Sequence, residues 1–197
     1  PDAWKAWWLD PDAESYYFLG KDNVPFHAIY WPALIMGHGD LNLPTDVPAN
    51  QFLTFGGAKA SKSRGIGRPL SWYLEHLDTD GLRYAIARSL PETSDSDLSD
   101  DEVVRSINDE LVATWRNLVN RVVSMTGRYF DGVVPEPGEL DDIDAAALDG
   151  RLTMLDEVRA DLMAVRLRAG IARAMQGAQD ANGYLSEREP WKTAKTD

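Results

Sequence analysis

At 197 residues, with 44% apolar and 26% charged side chains, the chain has the make-up of an ordinary globular protein with room for one or two domains. A formal net charge of −12 excludes a general nucleic-acid coat protein and sets DNA aside as a partner, while leaving room for local basic patches. There is no cysteine, which removes disulfides, thiolate zinc sites and cysteine nucleophiles, and the three histidines (His27, His38 and His76) lack metal-ligand spacing, so no metal site is expected.

The chain opens on Pro1-Asp-Ala-Trp-Lys-Ala-Trp-Trp-Leu, which has no initiator methionine and is already core-like. Methionine removal before proline would produce this start, and so would a cut inside a larger protein. The longest apolar run, Ala28 to Met36, is too short to span a bilayer, and no signal peptide is seen, so a cytoplasmic protein is expected.

Residues 1–57 read as mixed α/β. Tyr16 to Leu19 is a short β-type run ending at Gly20. Asp22 then caps a helix carrying Pro25 in its first turn and running through Phe26, Ile29, Tyr30 and Leu34 to Gly37, with a kink or break expected at Pro32. Residues 41–49 form a proline-rich loop, and Gln51 to Phe55 is a second strand closed by the turn Gly56-Gly57. Residues 58–97 hold a basic loop and two short helical segments, one after Pro69 and one capped by Asp80. Pro91 to Asp97 reads as an acidic turn with no core residue and marks a boundary.

Residues 98–197 read as nearly all helix. Ser99-Asp-Asp-Glu102 is a capping box. Val103, Ile107, Leu111, Trp115, Leu118, Val122 and Met125 continue it as one apolar stripe at three- and four-residue spacing. Gly132 to Gly138 breaks the chain. A helix from about Asp149 to Gln179 follows, with Leu152, Leu155, Val158 and Leu162 as its stripe, and a last short helix is expected after the turn signal Asn182-Gly183.

Three groups of residues carry chemistry. The first is Lys59-Ala-Ser-Lys-Ser-Arg-Gly-Ile-Gly-Arg68, with four cations, two serines, two glycines and no acid in a strongly acidic chain. Glycines let a backbone approach a polyphosphate, and lysines neutralise charge that builds up in phosphoryl or adenylyl transfer. The second is Gly20-Lys21-Asp22-Asn23 at a strand-to-helix junction, the place where open α/β sheets bind ligands. Asp22 there either caps the helix or accepts from ribose hydroxyls. The third is Asn117 and Arg121, four apart on one helix face, with a late Trp191. That face is either solvated or reads base edges and phosphates, and Trp191 either anchors the terminus or stacks on an unpaired base.

Taken in order, these segments resemble the methionyl-tRNA synthetase family of class I aminoacyl-tRNA synthetases over nearly the whole chain. The residues that carry it are Tyr17-Phe-Leu-Gly-Lys-Asp-Asn-Val-Pro-Phe-His-Ala-Ile-Tyr-Trp-Pro32, Ala49-Asn-Gln-Phe-Leu-Thr54 and Lys59-Ala-Ser-Lys-Ser-Arg-Gly65, the last similar to the KMSKS signature with Ala60 in the Met place. Asp80-Gly-Leu-Arg-Tyr84, Asn108-Asp-Glu-Leu111, Asn117-Leu-Val-Asn-Arg121 and Asn182-Gly-Tyr-Leu-Ser-Glu-Arg-Glu-Pro-Trp-Lys192 complete it.

The resemblance implies a mainly α fold with an α/β N-terminal part. Residues 1–57 would be a remnant of the second half of a Rossmann-like catalytic domain. Residues 58–97 would be the KMSKS-type loop and stem-contact region, and residues 98–197 a helical-bundle anticodon-binding domain. It implies that Gly20, Lys21 and Asp22 lie by the adenylate, with Asp22 near the ribose, and that Asn23 and His27 border the methionine pocket. Lys59 and Lys62 would act on the ATP phosphates as catalytic cations, flanked by Ser61 and Ser63. Asn117, Arg121 and Trp191 would read the CAU anticodon. ATP with Mg2+ enters as substrate, beside methionine and tRNA(Met). Ala113 departs from a subset of the family that carries a further Asn there. The half bearing the HIGH-type motif is absent, so the expectation is a C-terminal portion of a methionine–tRNA ligase, inactive alone. A stand-alone anticodon-binding module and a ligase using a small-molecule acceptor are the alternatives.

Overall fold

In the computed structural model the described residues are 2–194, with the side chain of Lys62 also outside the description. They form two compact units. One takes the residues up to Gly67 together with Leu90–Asp97, and the other takes Arg68–Ser89 and everything from Leu98 onward. The sequence-based zones cut differently: Arg68–Ser89 belongs with the helices, and the acidic segment 90–97 belongs with the α/β part.

The α/β unit begins with a short helix α1 (Lys5–Trp8) and holds two small sheets. In the first, β1 (Leu19–Gly20) runs parallel to β2 (Ala49–Asn50), with Leu19 opposite Ala49. The expected strand from Tyr16 is shorter: Tyr16 makes only an isolated parallel bridge to Asp46. In the second, β3 (Leu53–Phe55) turns through Gly56-Gly57 into antiparallel β4 (Ala58–Lys59). Both glycines have positive φ (59° and 77°), the conformation a two-residue hairpin requires. The strand expected over Gln51–Phe55 is therefore shorter, starting only at Leu53.

The third strand of that sheet, β5 (Ser96–Asp97), pairs parallel with β3. It lies in the segment read from the sequence as a coreless turn. The polar residues there are anchors. Asp95 accepts from the Phe52 N–H (2.9 Å) and from Lys21 Nζ (3.0 Å), and Asp97 accepts from Thr54 Oγ1 (2.7 Å) and the Gly57 N–H (2.8 Å). These bonds, the backbone one first in each case, hold both carboxyls below their ordinary pKa.

After β1 a single 3-10 turn, Lys21–Asn23, leads into a wide π-type turn, Phe26–Tyr30, and then α2 (Trp31–His38). The kink or break expected at Pro32 takes the form of a change of helix type, the π-type turn giving way to α2 at Trp31, one residue before the proline. Proline stands near the start of α2, and the wide turn before it absorbs its missing N–H.

The helical unit contains α3 (Leu70–His76), α4 (Thr79–Arg88), α5 (Asp100–Arg105), a π-type continuation Ser106–Arg116, α6 (Asn117–Tyr129), α7 (Asp142–Met163), α8 (Leu167–Arg188) and α9 (Pro190–Thr193). The cap of α4 is Asp78 rather than Asp80; its carboxylate accepts from the N–H groups of Asp80 and Gly81. Ser99 caps α5 as expected, through its hydroxyl to the Glu102 N–H, while the Glu102 carboxylate turns to Arg105. The core sits where α4 packs on residues 106–116 and on α8: Leu82, Ala85, Leu98, Val103 and Ala178 are all buried. Gly81 lies against Ile107, close enough that a Cβ would touch it at 3.4 Å.

The long C-terminal helix read from the sequence is two antiparallel helices. They part at Val165, whose φ of 55° is unusual for a β-branched residue. Asp161 holds the turn: its carbonyl accepts the Arg166 N–H (2.8 Å), and its buried carboxylate accepts from Arg166 Nε (3.0 Å) and Arg173 Nε (2.9 Å). Those guanidinium bonds, Arg173 first, lower its pKa. Gly170 and Gly177 let α7 and α8 approach, with Leu162 and Met154 filling the space a Cβ would need. Leu152 and Leu155 were expected in the core but lie exposed on α7, as Trp115 and Val119 lie half-exposed on the preceding stripe. Asn182-Gly183 is not a break; α8 runs through it to Arg188.

Candidate functional site

Two groups of polar residues stand out, one in each unit. In the α/β unit the basic loop leaves β4 at Lys59. Its ends are clipped by a bridge in which Ser61 and Ile66 exchange both backbone hydrogen bonds at 3.0 Å. Residues 62–64 form one 3-10 turn inside that clip, and the Ser61 and Ser63 hydroxyls lie 3.3 Å apart. Gly65 and Gly67 have positive φ (63° and 83°), and Gly67 sits against the Phe55 ring at 3.3 Å from where a Cβ would be. The loop is thus a fixed narrow turn presenting hydroxyls and cations.

The loop root meets the turn after β1. Lys59 Nζ stands 3.7 Å from Asp22 Oδ2, with both side chains mostly exposed. Phe52 underlies the meeting point: Lys59 Nζ is 4.1 Å and Lys21 Nζ 4.0 Å from its ring centroid, in cation–π contact. Lys21 is held there by Gln51 Oε1 and Asp95 Oδ1, each at 3.0 Å. Its ammonium is therefore committed to protein acceptors, whereas Lys59 has only the exposed Asp22 as ion-pair partner among the described residues. Sequence reasoning missed Phe52, Gln51 and Asp95. Phe52 read as one more strand aromatic, and only the two lysines over its ring give it a role.

Gly20 follows Leu19 in β1, at the carboxyl end of a parallel strand, so the Gly20-Lys21-Asp22 turn opens where such sheets bind ligands. Asn23 and His27 come together one turn on, with His27 Nδ1 3.2 Å from the Asn23 carbonyl and its ring 6.0 Å from that of Tyr17. Of the named residues of this unit, the structure thus gathers Lys21, Asp22 and Lys59, pairs Ser61 with Ser63, and pairs Asn23 with His27. Lys62 lies in the 3-10 turn by its backbone, but its side chain is outside the described residues.

In the helical unit Arg121 and Trp191 meet, although 70 residues separate them. The last turn of α8 is pinned to the start of α7: Arg188 Nη1 donates to Asp141 Oδ2 (2.7 Å) and the Tyr184 hydroxyl to Asp144 Oδ1 (2.7 Å). Glu189 then takes a left-handed conformation (φ 45°), and Pro190 starts α9 across α6. This places the Trp191 ring 5.3 Å from the Arg121 guanidinium carbon. Arg121 is fixed in turn by α8, donating to Asn182 Oδ1 (3.1 Å) and Ser186 Oγ (3.3 Å). Asn182 also donates to the Thr114 carbonyl (3.1 Å), so the supposed turn residue ties α8 to the segment before α6.

Asn120, Arg121, Ser124, Arg128, Tyr129 and Trp191 line an open cleft of about 290 Å³. Beside it, sharing Met125 and Tyr129, is an apolar cavity of about 460 Å³ bounded by Val122, Phe130, Pro135, Leu185 and Pro190. Asn117 is exposed on the same helix one turn earlier and does not line the cleft. Sequence reasoning missed Asn120 and Arg128, which the cleft brings beside Arg121. Among the described residues no helix is long and apolar enough to cross a membrane.

Comparison with known proteins gives one consistent answer. Residues 1–123 match the family model described as tRNA synthetases class I (M). The chain is 48% identical over 202 residues to a protein of Roseiflexus sp. (strain RS-1) named methionine–tRNA ligase, and 44% identical over 198 residues to one of the same name from Thermoplasma acidophilum. These alignments cover 100% of this chain but 34% and 35% of the relatives, so the chain spans about a third of the length of the curated relatives it matches. Among solved structures, Mycobacterium tuberculosis methionyl-tRNA synthetase bound by methionyl-adenylate superposes with a TM-score of 0.85 at 34% identity, over 94% of this chain and 36% of that one.

Proposed function

The chain belongs to the tRNA synthetases class I (M), and from that premise we propose that it is a portion of a methionine–tRNA ligase, carrying the phosphate-binding loop and the anticodon-reading helices. The longer protein activates methionine: its carboxylate attacks the α-phosphorus of ATP, the bond to the β-phosphate breaks, and methionyl-adenylate and pyrophosphate form. The methionyl group then passes to tRNA(Met) in the cytoplasm.

The observation that carries the catalytic half of this reading is the meeting of Asp22 and Lys59 over Phe52. It joins two polar segments far apart in sequence at the carboxyl end of a parallel strand. Asp22, exposed in the turn after β1, would accept from a ribose, and the open space at Gly20 supports that reading. Asn23 and His27 border the methionine side chain. Lys59 and Lys62, with the Ser61 and Ser63 hydroxyls, are assigned to the phosphates, where charge develops as pyrophosphate leaves. Such catalysis is electrostatic and positional, needing no covalent group. ATP arrives with Mg2+ as substrate. Asn117, Arg121 and Trp191 read the CAU anticodon. The rest of the ATP site comes from the remaining two-thirds of the longer protein.

The test is methionine-dependent ATP–pyrophosphate exchange. The 197-residue chain alone gives none, and in the longer protein Lys62→Ala lowers the rate roughly 10²–10³-fold with substrate affinity changed less. Robust exchange by the chain alone, or a loss confined to ATP affinity, contradicts the assignment. A second reading, an anticodon-binding module without activity, is favoured by the separate core of the helical unit. It requires the longer protein to show no exchange at all.

A further inference from the structure

Resting on the tRNA-binding reading above, we propose that Arg128 forms a phosphate subsite for single-stranded RNA, extending the Trp191 cleft along α6 by two turns. Between Leu111 and Phe130 the chain has three arginines and no acid, although its net charge is −12. Two of the three, Arg121 and Arg128, line the cleft with Trp191. Seven residues apart, their Cα atoms are about 10 Å from each other along one face of α6.

The two arginines are in different states. Arg121 is committed: it donates to Asn182 and Ser186 of α8 and lies on Trp191. Its guanidinium is already taken up by protein partners, which fix it against the ring. Arg128 has no carboxylate or hydrogen-bond acceptor as partner among the described residues; its guanidinium carbon lies 5.6 Å from the ring of its own neighbour, Tyr129. A guanidinium left without an anion in an acidic protein, beside an aromatic plane and two uncharged polar groups (Asn120 and Ser124), has the arrangement single-stranded RNA uses: a base stacks, a backbone phosphate takes the cation. The apolar cavity behind Met125 and Tyr129 keeps that side of the cleft free of competing charge.

A phosphate contact carries affinity and salt dependence but no sequence information, which separates it from the Trp191 contact. The experiment titrates a CAU anticodon stem-loop and one with a changed anticodon base onto the 197-residue chain across a salt series, with Arg128→Gln and Arg128→Lys alongside. Arg128→Gln should weaken both stem-loops by the same factor and reduce the slope of log K against log salt by about 0.7, leaving their ratio unchanged. Arg128→Lys should restore the slope. An unchanged slope in Arg128→Gln, or a loss confined to the CAU stem-loop, overturns the subsite while the anticodon reading stands. No binding by the unaltered chain overturns both.

Discussion

Leu82, Ala85, Leu98, Val103 and Ala178 are at most 3% exposed in the helical unit, whereas in the described part of the α/β unit only Ile35 and Pro91 are buried at all. Phe18, Phe26, Ile29, Tyr30 and Leu34 of the α/β unit are each more than half exposed. Its parallel pair β1–β2 has no third strand among the described residues. The helical unit closes a core around these residues, although apolar side chains of α7 stay exposed, whereas the α/β unit has little buried core and leaves unpaired strand edges. Trp191 and Arg121 both lie in the helical unit. The Lys59–Gly67 loop sits on the less buried unit, and the curated relatives are about three times as long as this chain.

The largest effect should come from the helical core. Leu82→Ala removes a side chain 3% exposed and should cost roughly 2–5 kcal/mol, read by urea unfolding. Ile35→Ala should cost the α/β unit less in the isolated chain, because its surroundings collapse more easily. Hydrogen exchange gives the same contrast without mutation: amides of α4, α7 and α8 should be better protected than those of β1, β2 and α2. The opposite order would break the comparison.

Next in size is Gly177→Leu. A Cβ there already meets the Met154 methyl at 2.7 Å, so the larger side chain should force α7 from α8 and cost about 1–3 kcal/mol. Circular dichroism melting checks it, and an unchanged Tm would mean that the two helices are not closely packed. Acid should then act on both units. The carboxyls of Asp161 and Asp141 in one, and of Asp95 and Asp97 in the other, are held below their ordinary pKa. Their contribution is therefore fully present above about pH 4 and lost as pH falls through the lower folded values. Asp161→Asn should flatten the acid loss reported from the helical unit alone, and Asp95→Asn that from the α/β unit alone. The smallest effect should be Asp22→Asn: the Asp22–Lys59 pair is mostly exposed, so stability should change by about 0–1 kcal/mol. A large destabilisation would make Asp22 a structural residue rather than a substrate contact.

Local signals were legible where one residue decides one piece of geometry. Ser99 reads as a cap and is one; Gly56-Gly57 reads as a hairpin turn and is one. Lys59 to Gly67 stands out by composition, and its clipped loop follows. Misreadings arose where a distant partner overrides the local signal. Asn182-Gly183 looks like a turn, but Asn182 is held in helix by Arg121 and Thr114. Nothing in Ala164-Val165-Arg166 announces a break, because the turn is made by the Asp161 carboxylate and two arginines. The segment 90–97 looks coreless because its bonding runs through Asp95 and Asp97 to groups about 40 residues away. Leu152 and Leu155 keep a helical apolar spacing yet stay exposed, since α8 packs through its glycines on the face carrying Met154 and Asp161. Of the candidate sites, the types and spacing of Arg121 and Trp191 were readable. The bonds that lock Arg121, and the cleft that adds Asn120 and Arg128, required the fold.

The most direct test of the account is a titration of two anticodon stem-loops, CAU and a single-base variant, onto the 197-residue chain at one fixed salt concentration, repeated with Trp191→Ala. The unaltered chain should prefer CAU clearly and the variant should lose most of that preference, at a cost of roughly 1–3 kcal/mol for the lost stacking. Equal weakening of both stem-loops by Trp191→Ala, or no change in either, would make Trp191 a structural anchor and contradict the recognition claim.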